Sequence, residues 1–139
     1  MIKENIFRID REWYTSDDLF LVSLKETGDI LTGKNTGRLQ IGPMYIETIG
    51  TYYNYELVLH RRKSFPLERW DALFKVLTDP KSVHSISMLH DQGFLEFDAY
   101  ISTVSRSIER KKKKTGETYW GDYSVKFTAM DKIDASYWN

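Results

Sequence analysis

The chain has 139 residues, of which 41% are hydrophobic, 29% charged and 14% aromatic. This length and composition are typical of one globular domain with its own core. Its 20 lysines and arginines are balanced by 20 aspartates and glutamates, so the composition lacks the basic surplus of a general nucleic-acid-binding protein. The absence of cysteine excludes disulfide bonds, thiol catalysis and cysteine-ligated metal sites.

The N-terminal sequence does not have the pattern of an export signal. Residues 1–10 contain charges and no apolar run of the length found in a secretory signal. No stretch approaches the ~18 uncharged apolar residues of a membrane span. We therefore expect a soluble protein made in the cytoplasm and folded as a single domain over residues 1–139. Within it, residues 1–26 are expected to form an interaction arm and residues 131–139 a C-terminal tail.

The first half of the chain predicts strands separated by turns. Residues 19–24 form a short apolar run that is typical of a strand. Gly28, Gly33, Gly37 and Gly42 follow at short intervals, which indicates turns and short strands over residues 27–43. Residues 44–60 form the longest β-like stretch, and Gly50 within it indicates a bulge or a close backbone approach.

Residues 64–79 predict the one helix of the chain. Ser64 is placed to cap it, and Pro66 falls in the first turn, where a missing N–H is tolerated. Asp79 precedes Pro80 and should end the helix. Apolar residues recur at spacings of three and four, as on a buried helix face. They are Leu67, Trp70, Leu73, Phe74 and Leu77. We expect the two aromatic residues of this face, Trp70 and Phe74, to be buried against the sheet.

Strands return after the helix. In residues 83–90, Ile86 and Met88 alternate with serines, as in a strand. Residues 91–93 indicate a turn. The strand after it has apolar residues at positions 95, 97, 99 and 101 on one face, so the two strands form a hairpin. A cationic loop precedes a final strand that alternates regularly from Tyr123 to Ala129. This order predicts an α+β, mostly β fold: an antiparallel sheet, a sandwich or a partly closed barrel, with one helix packed on it.

The sequence shows no recognisable catalytic or metal-binding motif. His60, His84 and His90 lack the spacings of metal ligands. The glycines around Lys34 lack the spacing of a phosphate-binding loop, and a nucleophile elbow is absent. We therefore expect no catalytic residue, no metal, no cofactor and a protein that is not an enzyme.

Five consecutive cations form the sharpest electrostatic feature: Arg110, Lys111, Lys112, Lys113 and Lys114. Adjacent like charges repel one another and need solvent or an anionic partner. One interpretation is a solvated, mobile hairpin tip. The other is a tip that contacts DNA phosphates, another anionic polymer or an acidic patch on a neighbouring subunit.

Aromatic residues are clustered along the chain. Core packing accounts for some of them. The others could line a sugar site or anchor a subunit interface, where tyrosine and tryptophan are enriched. The interface candidates are Trp13, Tyr14, Tyr52, Tyr53, Tyr55, Tyr137 and Trp138.

Six short motifs carry a resemblance to a known family. They are GRLQ at residues 37–40, IGTYYNY at 49–55, WDALFKVLTDP at 70–80, HSISM at 84–88, LEFDAYI at 95–101 and WGDYSVKFTAM at 120–130. They resemble small tail-region proteins in phages and prophages of Gram-positive bacteria. The resemblance implies a virion structural protein without catalytic residues, with a fold similar to tail-tube and baseplate-hub proteins. In those folds, copies join their sheets into rings around a central channel.

The leading hypothesis is therefore a non-enzymatic structural subunit of a phage tail or phage-tail-like particle, in its tube or baseplate-hub region. Its expected location is the virion. Its expected partners are other tail or baseplate subunits and copies of itself in a ring, and a direct contact with DNA stays open. The alternative is a carbohydrate-binding β-sandwich module that uses the tyrosines of residues 52–55. A small hydrolase is a third hypothesis.

Overall fold

The computed structural model describes residues 4–32, 37–38, 44–45, 48–134 and 137. These residues form antiparallel strands and one helix, α1 (Leu67–Leu77). The strands are β1 (Asn5–Ile9), β2 (Glu12–Thr15), β3 (Leu19–Thr32), β4 (Gly37–Arg38), β5 (Met44–Tyr45), β6 (Thr48–Arg61), β7 (His84–His90), β8 (Gly93–Lys111), β9 (Thr118–Ala129) and β10 (Ile133–Asp134). The predicted α+β, mostly β fold is confirmed.

The main sheet has the strand order β3-β6-β9-β8-β7-β1-β2, and β10 adds a short pairing with β6. A separate ladder joins β4 to β5. The described strands do not close into a barrel. However, the two end strands of the sheet, β2 and β3, are separated in the chain by only three residues, 16–18. That connection spans at most roughly 15 Å, whereas seven strands laid flat would span roughly 29 Å. The sheet must therefore be rolled.

Strand alternation sends one set of side chains into the rolled sheet. The largest buried side chains include Phe7, Tyr55, Phe65, Trp70, Tyr123 and Phe127. Helix α1 covers this interior with Trp70, Leu73 and Leu77. Ring contacts run continuously from Phe7 through Tyr14, Phe65 and Trp70 to Tyr123. The core is thus an aromatic cluster that joins β1, β2, α1 and β9.

The helix is shorter than its sequence pattern predicts, and its predicted cap is wrong. Pro66 occupies the N-cap position, without a side-chain cap. The hydroxyl of Ser64 instead donates a hydrogen bond to the Asp17 carbonyl, 3.0 Å away, so it ties the β6–α1 connection to the β2–β3 turn. Trp70 is buried as predicted, whereas Phe74 is only half-buried.

The predicted N-terminal arm corresponds to strands of the sheet. Residues 5–15 form β1 and β2 and contribute Phe7, Ile9 and Tyr14 to the core, and the later residues of that segment belong to β3. The predicted C-terminal tail likewise contains a strand, since β10 pairs Ile133 with Thr51 of β6.

Strand β3 continues through Gly28 to Thr32, where the glycine spacing predicts turns. Pairing along the whole of β6 outweighs that local signal, and Gly28 lies opposite Tyr53. A Cβ at Gly28 would lie 3.4 Å from a methyl group of Thr51. This distance is an ordinary van der Waals contact, so the strand position has room for a side chain. Of residues 33–43, the structure describes Gly37 and Arg38, and the others lie outside the described residues.

Two long hairpins extend to opposite ends of the sheet. The β3–β6 hairpin pairs Leu19 with Arg61 at one end and Thr32 with Thr48 at the other. Leu59 of β6 pairs with Tyr123 of β9, so residues 118–122 of β9 lie towards and beyond the Arg61 end. The tip of the β8–β9 hairpin, residues 112–117, consequently lies opposite to the Thr32–Thr48 end.

Candidate interaction surfaces

Two predicted interface residues belong to the core. Tyr14 is 2% exposed and Tyr55 is fully buried, because both point into the rolled sheet. Neither can therefore anchor a neighbouring subunit. Trp13 is half-buried on β2 and packs edge-on against Phe94, with ring centroids 5.3 Å apart. Tyr137 is 54% exposed, and Trp138 lies outside the described residues.

Strand alternation divides the tyrosine cluster of β6. Tyr55 stacks on Phe97 inside the sheet, and Tyr53 packs against His90 on the same side. Tyr52 has the opposite parity and lines a shallow groove of about 490 Å³ with Asp29, Asn54 and Tyr100. The single aromatic surface that the carbohydrate alternative needs at residues 52–55 is therefore not formed.

The shallow groove lined by Tyr52 (the outer groove) contains polar side chains that are held by hydrogen bonds. The backbone N–H of Ala129 donates to Asn54 Oδ1 at 2.8 Å. The amide of Asn54 in turn donates to Asp29 Oδ2 at 2.5 Å. These two bonds fix a carboxylate beside the rings of Tyr52 and Tyr100.

The free edge of β3 is the longest unpaired strand edge among the described residues. β3 has fourteen residues and pairs with β6 along one side, while no described strand lies against its other side. Three apolar side chains on this strand are strongly exposed: Phe20 (49%), Val22 (49%) and Ile30 (67%). An exposed strand edge with apolar side chains is suited to pairing with another chain.

The basic run lies at the β8–β9 hairpin tip, as predicted. Arg110 and Lys111 are the last residues of β8, and the three following lysines form the turn. All five cations are exposed, and none forms an ion pair with a described carboxylate. The Arg110 guanidinium lies 4.5 Å from the centre of the Tyr119 ring.

A cleft of about 460 Å³ lies beside this hairpin, where β9 faces the connection from β6 to α1. Its polar and aromatic lining includes His60, Lys63, Arg110, Tyr119, Trp120 and Asp122. Pro66 and Leu67, at the start of α1, also line it. His60 Nδ1 and Asp122 Oδ1 are 2.6 Å apart.

Each of the three histidines faces a carboxylate from a distant part of the chain. The pairs are His60 with Asp122, His84 with Asp10 and His90 with Glu26. Sequence reasoning missed these pairs because the partners are 62, 74 and 64 residues apart. Strand register and turns bring His60 and His84 to their partners, whereas the roll of the sheet brings His90 on β7 to Glu26 on β3.

Asp10 is the acceptor at the centre of a polar cluster. Burial tends to raise its pKa, but hydrogen bonds from His84, Lys81 and the Ser85 backbone outweigh burial and lower the pKa below 3.8. His84 is almost fully buried, and its Nε2 has no partner among the described residues. The cluster fixes the β1–β2 turn to the start of β7.

Three core tyrosines, Tyr14, Tyr55 and Tyr123, have buried phenol groups. Burial raises the pKa of Tyr14 and Tyr55 well above 10. Burial also raises the pKa of Tyr123 to about 12, with Arg106 opposing the shift. The hydroxyl of Tyr55 donates to Glu26 Oε2 at 2.5 Å. These phenols therefore stay protonated near neutral pH.

Two further searches bear on function. No helix among the described residues is long and apolar enough to cross a membrane. Within the same residues, no group of three or more histidine, aspartate or glutamate side chains could hold a metal ion. Comparison with protein-family models and with curated proteins finds no match for this chain.

Proposed function

We propose that this chain is a non-enzymatic structural subunit of a phage tail or a phage-tail-like particle, in its tube or baseplate-hub region. In this proposal it acts in the virion and binds copies of itself and neighbouring tail subunits. The sequence resemblance motivates the proposal. The observation that carries it is the free edge of β3, which exposes backbone hydrogen-bonding groups beside Phe20, Val22 and Ile30.

A second chain that pairs with this edge would satisfy those backbone groups and cover the apolar side chains. The bulge between Leu21 and Ser23 limits pairing near the start of β3, so the straight stretch beyond it is the better template. The two hairpins support the same proposal, because they extend to opposite ends of the sheet and can reach neighbours on both sides. A specific contact of this kind should bury more than about 1,000 Å².

Sedimentation velocity of the purified protein tests this role of the edge. We expect concentration-dependent oligomers of the wild-type chain. Replacing Ile30 by lysine adds a charge to the exposed stretch of β3 beyond the bulge and should shift the protein to monomer. The control is Val83→Lys, an exposed valine outside the strands, which should leave the oligomers unchanged. A wild-type protein that stays monomeric at every concentration would count against the proposal.

The outer groove supports a carbohydrate-binding module as the second candidate function. Tyrosine faces beside a fixed carboxylate are suited to a pyranose ring, because the rings pack on its C–H face while Asp29 accepts hydroxyl hydrogen bonds. NMR titration with a panel of methyl pyranosides tests it. Binding that is lost in both Tyr100→Ala and Asp29→Asn would favour this candidate, whereas no chemical-shift change in the wild-type protein would reject it.

A further inference from the structure

We propose that the cleft beside the β8–β9 hairpin, together with the basic hairpin tip, binds a single phosphodiester chain. The cleft volume of about 460 Å³ lies in the range of ligand pockets, roughly 300–1,000 Å³. This inference is independent of the role proposed for the β3 edge, because the cleft is at the other side of β6.

Charge in the cleft favours an anion. Lys63 and Arg110 line it and form no ion pair with any described carboxylate. The Arg61 guanidinium donates to the carbonyls of Arg62 and Phe65, so its charge is not neutralised by an acid. The cleft is thus lined by three cations, Arg61, Lys63 and Arg110, and by two carboxylates, Glu109 and Asp122. Positive charge therefore exceeds negative charge here, although the whole chain is neutral.

The cleft is continuous with the basic tip. Arg110 lines the cleft and also begins the run of cations that ends at Lys114. A ligand with one anionic group would contact the cleft but not the tip. A chain with regularly repeated phosphates could contact the cleft and the tip at once, and each contact would release a counterion.

The aromatic lining is compatible with such a chain. Tyr119 and Trp120 belong to the β9 wall of the cleft, next to residues that contribute charge. A basic groove with aromatic side chains is the usual arrangement for unpaired nucleic-acid strands. A nucleic acid and a phosphodiester chain without bases both present the backbone that the cleft and tip would bind. Competition experiments distinguish the two.

The test is fluorescence anisotropy with a labelled single-stranded DNA of about 16 nucleotides, between about 50 and 200 mM salt. We expect binding that weakens steeply with salt. The variant with Lys63→Ala and Arg110→Ala removes two phosphate contacts, so the slope of log affinity against log salt should fall by about 1.4. The variant with Lys112, Lys113 and Lys114 changed to serine should also weaken binding.

The matched control is the variant with Arg11→Ala and Lys75→Ala. Both cations are exposed, lie outside the cleft and form no described ion pair, so this variant should bind as the wild type does. Thermal unfolding establishes that each variant is folded. No binding by the wild-type protein at low salt would overturn the proposal, as would an equal loss of affinity in the cleft variant and the control.

Three unlabelled competitors identify the source of the phosphodiester chain. Single-stranded DNA, poly(glycerol phosphate) and double-stranded DNA each compete with the labelled strand. Equal competition supports recognition of the backbone alone, and stronger competition by DNA supports an added contribution from the bases. Stronger competition by double-stranded DNA than by both single chains would contradict a single-chain cleft.

Discussion

The ring of Tyr123 lies flat on the indole of Trp70, with ring centroids 3.6 Å apart and planes 7° apart. The Tyr123 hydroxyl also donates a hydrogen bond to the backbone carbonyl of Trp70 at 2.6 Å. These two contacts join α1 to β9. The Arg106 guanidinium completes the arrangement, because it lies 3.9 Å from the centre of the Phe74 ring and 4.0 Å from that of Trp120.

Removing the Trp70 side chain should destabilise the protein strongly. Trp70→Ala leaves a cavity against Tyr123 and should lower the free energy of unfolding by about 3–5 kcal/mol. Tyr123→Phe keeps the ring and removes only the hydrogen bond, so its cost should be about 1 kcal/mol. Urea denaturation measures both values. A loss below about 1 kcal/mol for Trp70→Ala would show that this stack does not organise the core.

Gly50 should be required where β10 meets β6. A Cβ at this position would collide with the backbone carbonyl of Ile133, and relieving such overpacking costs about 1–3 kcal/mol. Gly50→Ala should therefore lower the free energy of unfolding and speed amide exchange at Thr51. The control is Gly93→Ala, whose added Cβ would have no other atom within 4 Å. Equal stability of the two variants would contradict this placement of β10.

Asp10 should make stability depend on acid pH. Its folded-state pKa is lowered below 3.8, so the carboxylate stabilises the fold above that pH and loses its effect as the pH falls through the lowered value. Asp10→Asn should therefore cost about 1.5–3 kcal/mol at neutral pH, and less in acid. Urea denaturation at several pH values measures this. Asp79→Asn, at an exposed residue without a described ion pair, is the control and should show no such trend.

Changing the four lysines of residues 111–114 to serine should leave the isolated fold intact. The lysines are exposed and form no described ion pair, and surface substitutions of this kind change stability by about 0.5 kcal/mol or less. Thermal unfolding provides the measurement. A fall of many degrees in melting temperature would show that the tip contributes to the fold.

Local patterns were sufficient for the parts of the fold that depend on periodicity. The apolar spacing around Trp70 predicts α1, and the alternation from Tyr123 to Ala129 predicts β9. Both patterns arise because one face of each element is buried in the same core. The turn signal at Gly28 failed because pairing with β6 determines the conformation there.

The candidate sites depended on information that local patterns do not contain. The cationic run predicts the basic tip, but the cleft beside it needs Lys63 and Arg110, which come from different elements. Tyr52, Tyr53 and Tyr55 are the same residue type. Which of them are buried depends on which face of β6 turns towards the interior of the rolled sheet. The pairing of His84 with Asp10 likewise depends on the register of β1 against β7.

Electron microscopy tests the proposed structural role most directly. Purified wild-type protein, and phage-tail-like particles from cells that produce it, should show rings or particle-bound copies of this chain. Deleting residues 137–139 removes Trp138 and the exposed ring of Tyr137 and should reduce incorporation. The fold should stay intact, because removing an exposed side chain costs little stability. The contrary result is a strictly monomeric protein that never occurs in purified particles.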